Sequence, residues 1–201
     1  MRLHRVPIVA TGVLALAAVT SCGQSEPTTS PSQQASQSSP APTSTSTSDT
    51  DAASNAATDT VREYFAILDE LRQDQERSLD ALAEVAASTQ LTAQQRLLEN
   101  ERSNKLRQIG STALPDVSVE SVNLDNSDPK AGKVPTVTVD VCWDVSDADL
   151  VDASGKSVVS PDRVDVGWTR YTVANYEFQT DPLTGWRVAS GKDLKQPPCE
   201  Q

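Results

Sequence analysis

Long apolar runs, histidine and methionine are nearly missing from this 201-residue chain, and each shortage removes a class of function. The longest apolar stretch, "VPIVATGVLALAAV" at 6–19, has 14 residues, whereas a bilayer-spanning helix needs about 20. The one histidine, His4, and the one methionine, Met1, both precede that stretch. The chain beyond it therefore has no imidazole for a Ser-His-Asp or Cys-His nucleophile, for most zinc and iron sites, or for the usual switch near neutral pH. Positive charge is also short: 17 Lys+Arg stand against 28 Asp+Glu, for a net charge of −11. That balance argues against nucleic acid as a partner and against an electrostatic hold on anionic lipid headgroups. Aromatics make up 4% of the chain and cysteines number three, so the placement of each carries weight.

What is present begins with an address. Arg2, His4 and Arg5 precede the apolar stretch and small residues follow it, which is the three-part layout of a secretory signal. Its end, Val19-Thr20-Ser21-Cys22, resembles the lipobox of bacterial lipoproteins. The resemblance implies a signal peptide at 1–21, cleavage before Cys22, and a diacylglyceryl thioether on its sulfur; the alternative is a cut elsewhere with an accidental cysteine. Two or three acyl chains hold a protein on a membrane stably where one does not. Cys22 is then a lipid anchor, and the expected location is the extracytoplasmic face of the cell membrane. Loss of Arg2 and Arg5 would leave 15 basic against 28 acidic residues, a net charge near −13.

Between 24 and 48, 14 of 25 residues are Ser or Thr and four are Pro, with no aromatic residue and no aliphatic one larger than Ala. Such a segment cannot bury enough apolar surface to offset its ordering entropy. Residues 22–57 are accordingly expected to form a lipid-anchored disordered linker, with a reach of roughly 30–35 Å as a flexible coil. Its composition also permits O-glycosylation.

Residues 58–201 have the length of one domain with one core. Thr60-Val61-Arg62-Glu63 fits a capping box, and Val61, Tyr64, Phe65, Leu68 and Leu71 follow at helical spacing, with Arg62, Asp69, Glu70 and Gln73 expected on the solvent face. Ser78 is expected to cap a short helix, "LDALAEVAA", with Leu79, Leu82 and Ala86 inward. A third, mostly exposed helix is expected in "LTAQQRLLENERSNKLRQIG", capped by Thr92 and Gln95 and ended by Gly110. From Leu114 the period becomes two. "DVSVESVNL" alternates, and "TVTVDVCWDV" sets Val137, Val139, Val141, Trp143 and Val145 against Thr136, Thr138, Asp140, Cys142 and Asp144. A long strand is expected within 164–178, with Gly167 as a bulge, then a turn at "DPLTG" and a last strand "WRVAS". Ser154-Gly155 marks a small hairpin turn.

Helices followed by antiparallel strands make an α+β domain with helices on one face of the sheet. The signatures "VREYFAILDEL", "LDALAEVA", "VTVDVCWDVSDADLVDASGKSVV" and "GWRVASGKDLKQPPC" resemble the lipoproteins and secreted proteins of actinobacteria that adopt an NTF2-like (SnoaL-like), cone-shaped fold. That resemblance spans nearly all of 58–201. It implies a curved sheet around a long helix, with a cavity that enzymes and non-enzymes of the superfamily use differently.

Cys142 and Cys199 remain as a pair in an oxidising compartment and are expected to form a disulfide, the rival being two free thiols. Asp147, Asp149 and Asp152 lie close together, but "DADLVDASGKSV" lacks EF-hand spacing, so a solvated acidic loop is expected and no metal site. The aromatics read mainly as core; the functional alternative places Tyr64, Trp143, Trp168 and Tyr171 at a pocket mouth, with Arg170 as the cation facing a ligand. Ketosteroid isomerases and dehydratases of the same superfamily imply a buried Asp base with a Tyr or protonated Asp as oxyanion donor. Asp140, Asp165 and Tyr171 are the candidates, and none falls on a family motif. The expected function is thus a non-catalytic, membrane-anchored module without a cofactor, acting with an envelope or cell-surface protein partner. Binding of a small-molecule ligand in the cone cavity is the alternative, and lyase or isomerase chemistry the third.

Overall fold

The computed structural model describes residues 45–197 and 199. The expected signal peptide 1–21, the lipidation site Cys22 and the linker as far as residue 44 lie outside these residues. The chain opens with helix α1 (Thr45–Gln73), a 3₁₀ turn (Leu79–Glu84) and helix α2 (Ser88–Ser103). Strands β1 (Arg107–Ile109), β2 (Ala113–Asn123), β3 (Thr136–Asp144), β4 (Asp149–Val151), β5 (Val166–Asn175) and β6 (Trp186–Leu194) follow. The α+β order expected from the change of period is present.

α1 begins well before the expected cap at Thr60. Ala53, Ala57, Val61, Tyr64, Leu68 and Leu71 recur at three- and four-residue steps, and all are buried. Two alanines extend the apolar stripe upstream, in a segment whose composition otherwise reads as linker. Thr60 is interior, and its hydroxyl donates to the Ala56 carbonyl at 2.8 Å. Residues 45–57, assigned to the linker, are therefore helical, and the folded part starts before 58.

The next segment keeps its expected cap in tighter form: the Ser78 hydroxyl accepts from the Asp80 N–H, and Leu82 and Ala86 are buried. α2 starts at Ser88, so Thr92 is not its cap and instead donates to the Ser88 carbonyl at 3.3 Å. Asn104 ends the helix, while Gly110 follows β1. The helix is mostly exposed, as its sparse apolar positions require; Leu98 and Glu101 are its buried residues.

The four-stranded antiparallel sheet has the order β2-β3-β5-β6, and β1 and β4 form a separate antiparallel pair. Val137, Val139 and Val141 of β3 are fully buried on the α1 side. Register shifts fall between Val119 and Ser121 in β2 and between Thr172 and Val173 in β5, where β6 has one extra residue. An extra residue bends a strand and resets its alternation, which curves the sheet and places Val122 opposite the buried Val137. Gly167 is not a bulge; it stays in register opposite Trp143. The outer edge of β6 is partly covered, because Ala86 forms a parallel bridge with Val188, with the Val188 N–H donating to the Val85 carbonyl at 2.8 Å. Trp186 is fully buried, its indole N–H donating to the Pro182 carbonyl at 3.0 Å. On the opposite face of the sheet Cys142 and Cys199 form the expected disulfide, with Cα atoms 6.1 Å apart.

Candidate functional site

The inward face of the sheet and the flank of α1 enclose a cleft of about 230 Å³. Two aromatic rings on it lie over glycines of neighbouring strands. The indole of Trp143 covers Gly167, where a Cβ would stand 2.6 Å from Cζ2, and the ring of Tyr171 covers Gly191, where a Cβ would stand 2.8 Å from Cε1. Only glycine leaves room for these rings against the strands. Tyr64 and Phe65 pack edge-on against Tyr171, with ring centroids 5.8 and 5.9 Å away. The Gln90 amide donates to the Tyr64 hydroxyl at 2.5 Å.

Polar groups enter between the rings. The Trp143 indole N–H donates to Thr169 Oγ1 at 3.1 Å, and that hydroxyl donates to Asp193 Oδ1 at 2.9 Å. Asp69, which the helical pattern placed on the solvent face, is instead buried. Its Oδ1 accepts from Gln108 Nε2 at 2.8 Å and from Thr112 Oγ1 at 2.9 Å, and its Oδ2 from the Thr112 N–H at 2.7 Å. Arg72, one turn further along α1, holds Glu101 of α2 at 3.2 Å.

Burial raises the hydroxyl pKa of Tyr64, an effect that the hydrogen bond from Gln90 only partly offsets. Burial likewise pushes Tyr171 far above the ordinary tyrosine range. Both phenols are thus neutral donors or acceptors at physiological pH.

Of the five residues placed at a pocket mouth, Tyr64, Trp143 and Tyr171 line the cleft, whereas Trp168 and Arg170 do not. These two sit on the opposite strand phase, in register with Cys142 and Asp140. Arg170 makes a two-point contact with Asp140, Nε to Oδ1 at 2.6 Å and Nη2 to Oδ2 at 2.7 Å, with Glu120 at 3.5 Å. The cation at the cleft is Arg72. Of the three candidates for acid-base work, Asp140 is thereby on the outer face, and Asp165 pairs with Arg163 at 2.7 Å. Only Tyr171 lies in the cleft. In the acidic loop, Asp152 accepts from the Ser154 N–H and hydroxyl and the Lys156 N–H at 2.8, 2.6 and 3.1 Å, so it serves the turn around Gly155.

The sequence reading missed Asp69, Arg72, Thr112, Thr169 and Asp193, all of which line the cleft. One signal was available for two of them: Phe65, Asp69 and Arg72 form a second row beside the Tyr64–Leu68–Leu71 stripe, and a large aromatic there widens the buried face.

No protein-family model matches the sequence, and no curated protein is significantly similar to it. Among solved structures the chain is similar to the intermembrane space region of the chloroplast protein ARC6, with a TM-score of 0.50 and 19% identity over 70% of this chain and 95% of that one. At that identity the likeness speaks for the fold alone: helices followed by a curved antiparallel sheet.

Proposed function

We propose that the chain is a lipid-anchored, extracytoplasmic module of the NTF2-like, cone-shaped kind found in actinobacterial lipoproteins, and that it is a non-catalytic interaction or envelope-assembly domain. The observation that carries this reading is how the cleft's polar groups are used. Both oxygens of Asp69 are occupied by neutral donors, Arg72 is held by Glu101, and Thr169 links Trp143 to Asp193. A general acid or base works best with a pKa near the operating pH, yet both buried tyrosines are moved away from neutrality. At about 230 Å³ the cleft is also smaller than the roughly 300–1,000 Å³ of pockets that enclose a whole small molecule. A site of this size suits one side chain or terminal group of a larger partner.

The anchoring half of the proposal is checked by Cys22→Ser, which should abolish lipid labelling and membrane retention. The interaction half is checked by native mass spectrometry of the protein released from membranes. A reproducible protein complex that persists in the Tyr171→Phe variant supports it; a bound small metabolite lost in that variant would overturn it.

A further inference from the structure

Charge and aromatic surface in the cleft are unevenly matched. Arg72 is compensated by Glu101, but neither Asp69 nor Asp193 forms an ion pair among the described residues. Asp69 is buried and saturated with hydrogen bonds, so it contributes field more than contact. Asp193 is exposed and accepts one hydrogen bond from Thr169 on Oδ1, and among the described residues nothing bonds to its other oxygen. Beside it, the half-buried indole of Trp143 lies over Gly167 and lines the cleft. An indole face is the best aromatic partner for a cation, and an adjacent carboxylate adds direct attraction. The Trp143–Thr169–Asp193 relay fixes the two groups relative to each other before anything binds.

We infer that the cleft is a receptor for an organic cation, an alkylammonium or guanidinium group, seated between the Trp143 indole and the Asp193 carboxylate. Its size admits a single such group, which matches a lysine or arginine side chain of a partner or the end of a free amine. An anionic group is disfavoured, because the Arg72 charge is already spent on Glu101. This inference builds on the interaction reading by naming what the partner would present.

The test uses the full chain in neutral detergent with ¹⁵N-labelled tryptophan, whose three residues give three indole signals, that of Trp143 being assigned with Trp143→Phe. The probes are butylammonium, methylguanidinium, a capped Gly-Lys-Gly peptide, neutral 1-butanol and butyrate, all at matched ionic strength. The two small cations and the peptide should shift the Trp143 signal saturably, whereas butanol and butyrate should not. Asp193→Asn, which keeps an acceptor for Thr169, should weaken the cations about tenfold. Tighter binding of the peptide than of butylammonium assigns the cation to a protein, and the reverse order assigns it to a free amine; either supports the site. A Trp143 signal indifferent to every cation, equally sensitive to butanol, or unaffected by Asp193→Asn would overturn the inference. Such a failure leaves the interaction reading intact, since that stands or falls on the membrane-derived complex.

Discussion

Asp69 offers the sharpest test of how the helices are joined to the sheet, because one buried carboxylate on α1 collects the Gln108 amide from β1 and both the N–H and hydroxyl of Thr112 just ahead of β2. Removing it in Asp69→Ala strands these donors unequally. The Thr112 hydroxyl can rotate, and Gln108 keeps a bond to the Gly110 carbonyl at 3.2 Å, but Asp69 is the one acceptor of the Thr112 N–H among the described residues. Hydrogen bonds to charged groups contribute about 1.5–3 kcal/mol each, and the relief of no longer burying a charge offsets part of the loss. The net destabilisation is expected to be about 2–4 kcal/mol, which lowers the melting temperature by roughly 10 °C in a domain of this size. Asp69→Asn should fall about halfway, since its carbonyl can serve the Thr112 N–H while its amide faces Gln108 donor to donor. Calorimetry gives the melting temperature, and hydrogen exchange of the Thr112 amide reports the local contact. An alanine variant that melts within about 2 °C of wild type, with the Thr112 amide still protected, would refute this account of the joint.

Replacing both Cys142 and Cys199 by serine should cost about 4 kcal/mol by the loop-entropy relation, and reductant should bring the native protein down to the same melting temperature. Burial raises the pKa of Tyr64 and Tyr171 above the unfolded value, so their contribution to stability is fully present below about pH 10 and is lost as pH rises beyond it; ultraviolet titration should show their ionisation accompanying loss of structure. Arg170→Gln should shift the melting temperature by no more than about 2 °C, because its pair with Asp140 is partly exposed and screened. A larger fall there would mean that the outer face packs more tightly than its exposure indicates.

The fold was legible where periodicity is strong. The alternation in β3 sets Val137, Val139, Val141 and Trp143 apart from Asp140 and Cys142, as the register shows. It failed where small or polar residues do the work of apolar ones. Ala53 and Ala57 fill the space between α1 and its neighbours without raising local hydropathy, so the helix start was hidden. Asp69 reads as a solvent residue until the strands supply its three donors, a tertiary fact that no local pattern contains. Gly167 shows a different limit: a glycine in a strand suggests a bulge, but here it accommodates an indole from the next strand. Arg170 shares its strand phase with Trp168, the basis for placing both at a pocket mouth, but that phase faces outward with Cys142 and Asp140.

The disulfide also sets how the domain would carry tension. Cys199 is joined to Cys142, 57 residues earlier, so β4, β5 and β6 all lie inside the covalent loop. A pull applied between the front of the chain and its tail passes from β3 through the sulfur atoms to Cys199, and the enclosed strands bear none of it directly. The load therefore falls on α1, α2, β1, β2 and the β2–β3 pairing, while the β5–β6 hairpin would stay folded behind the link. For a protein held at one end and gripped at the other, the extensible part is the helical half, and oxidation state decides whether the strands after β3 join it.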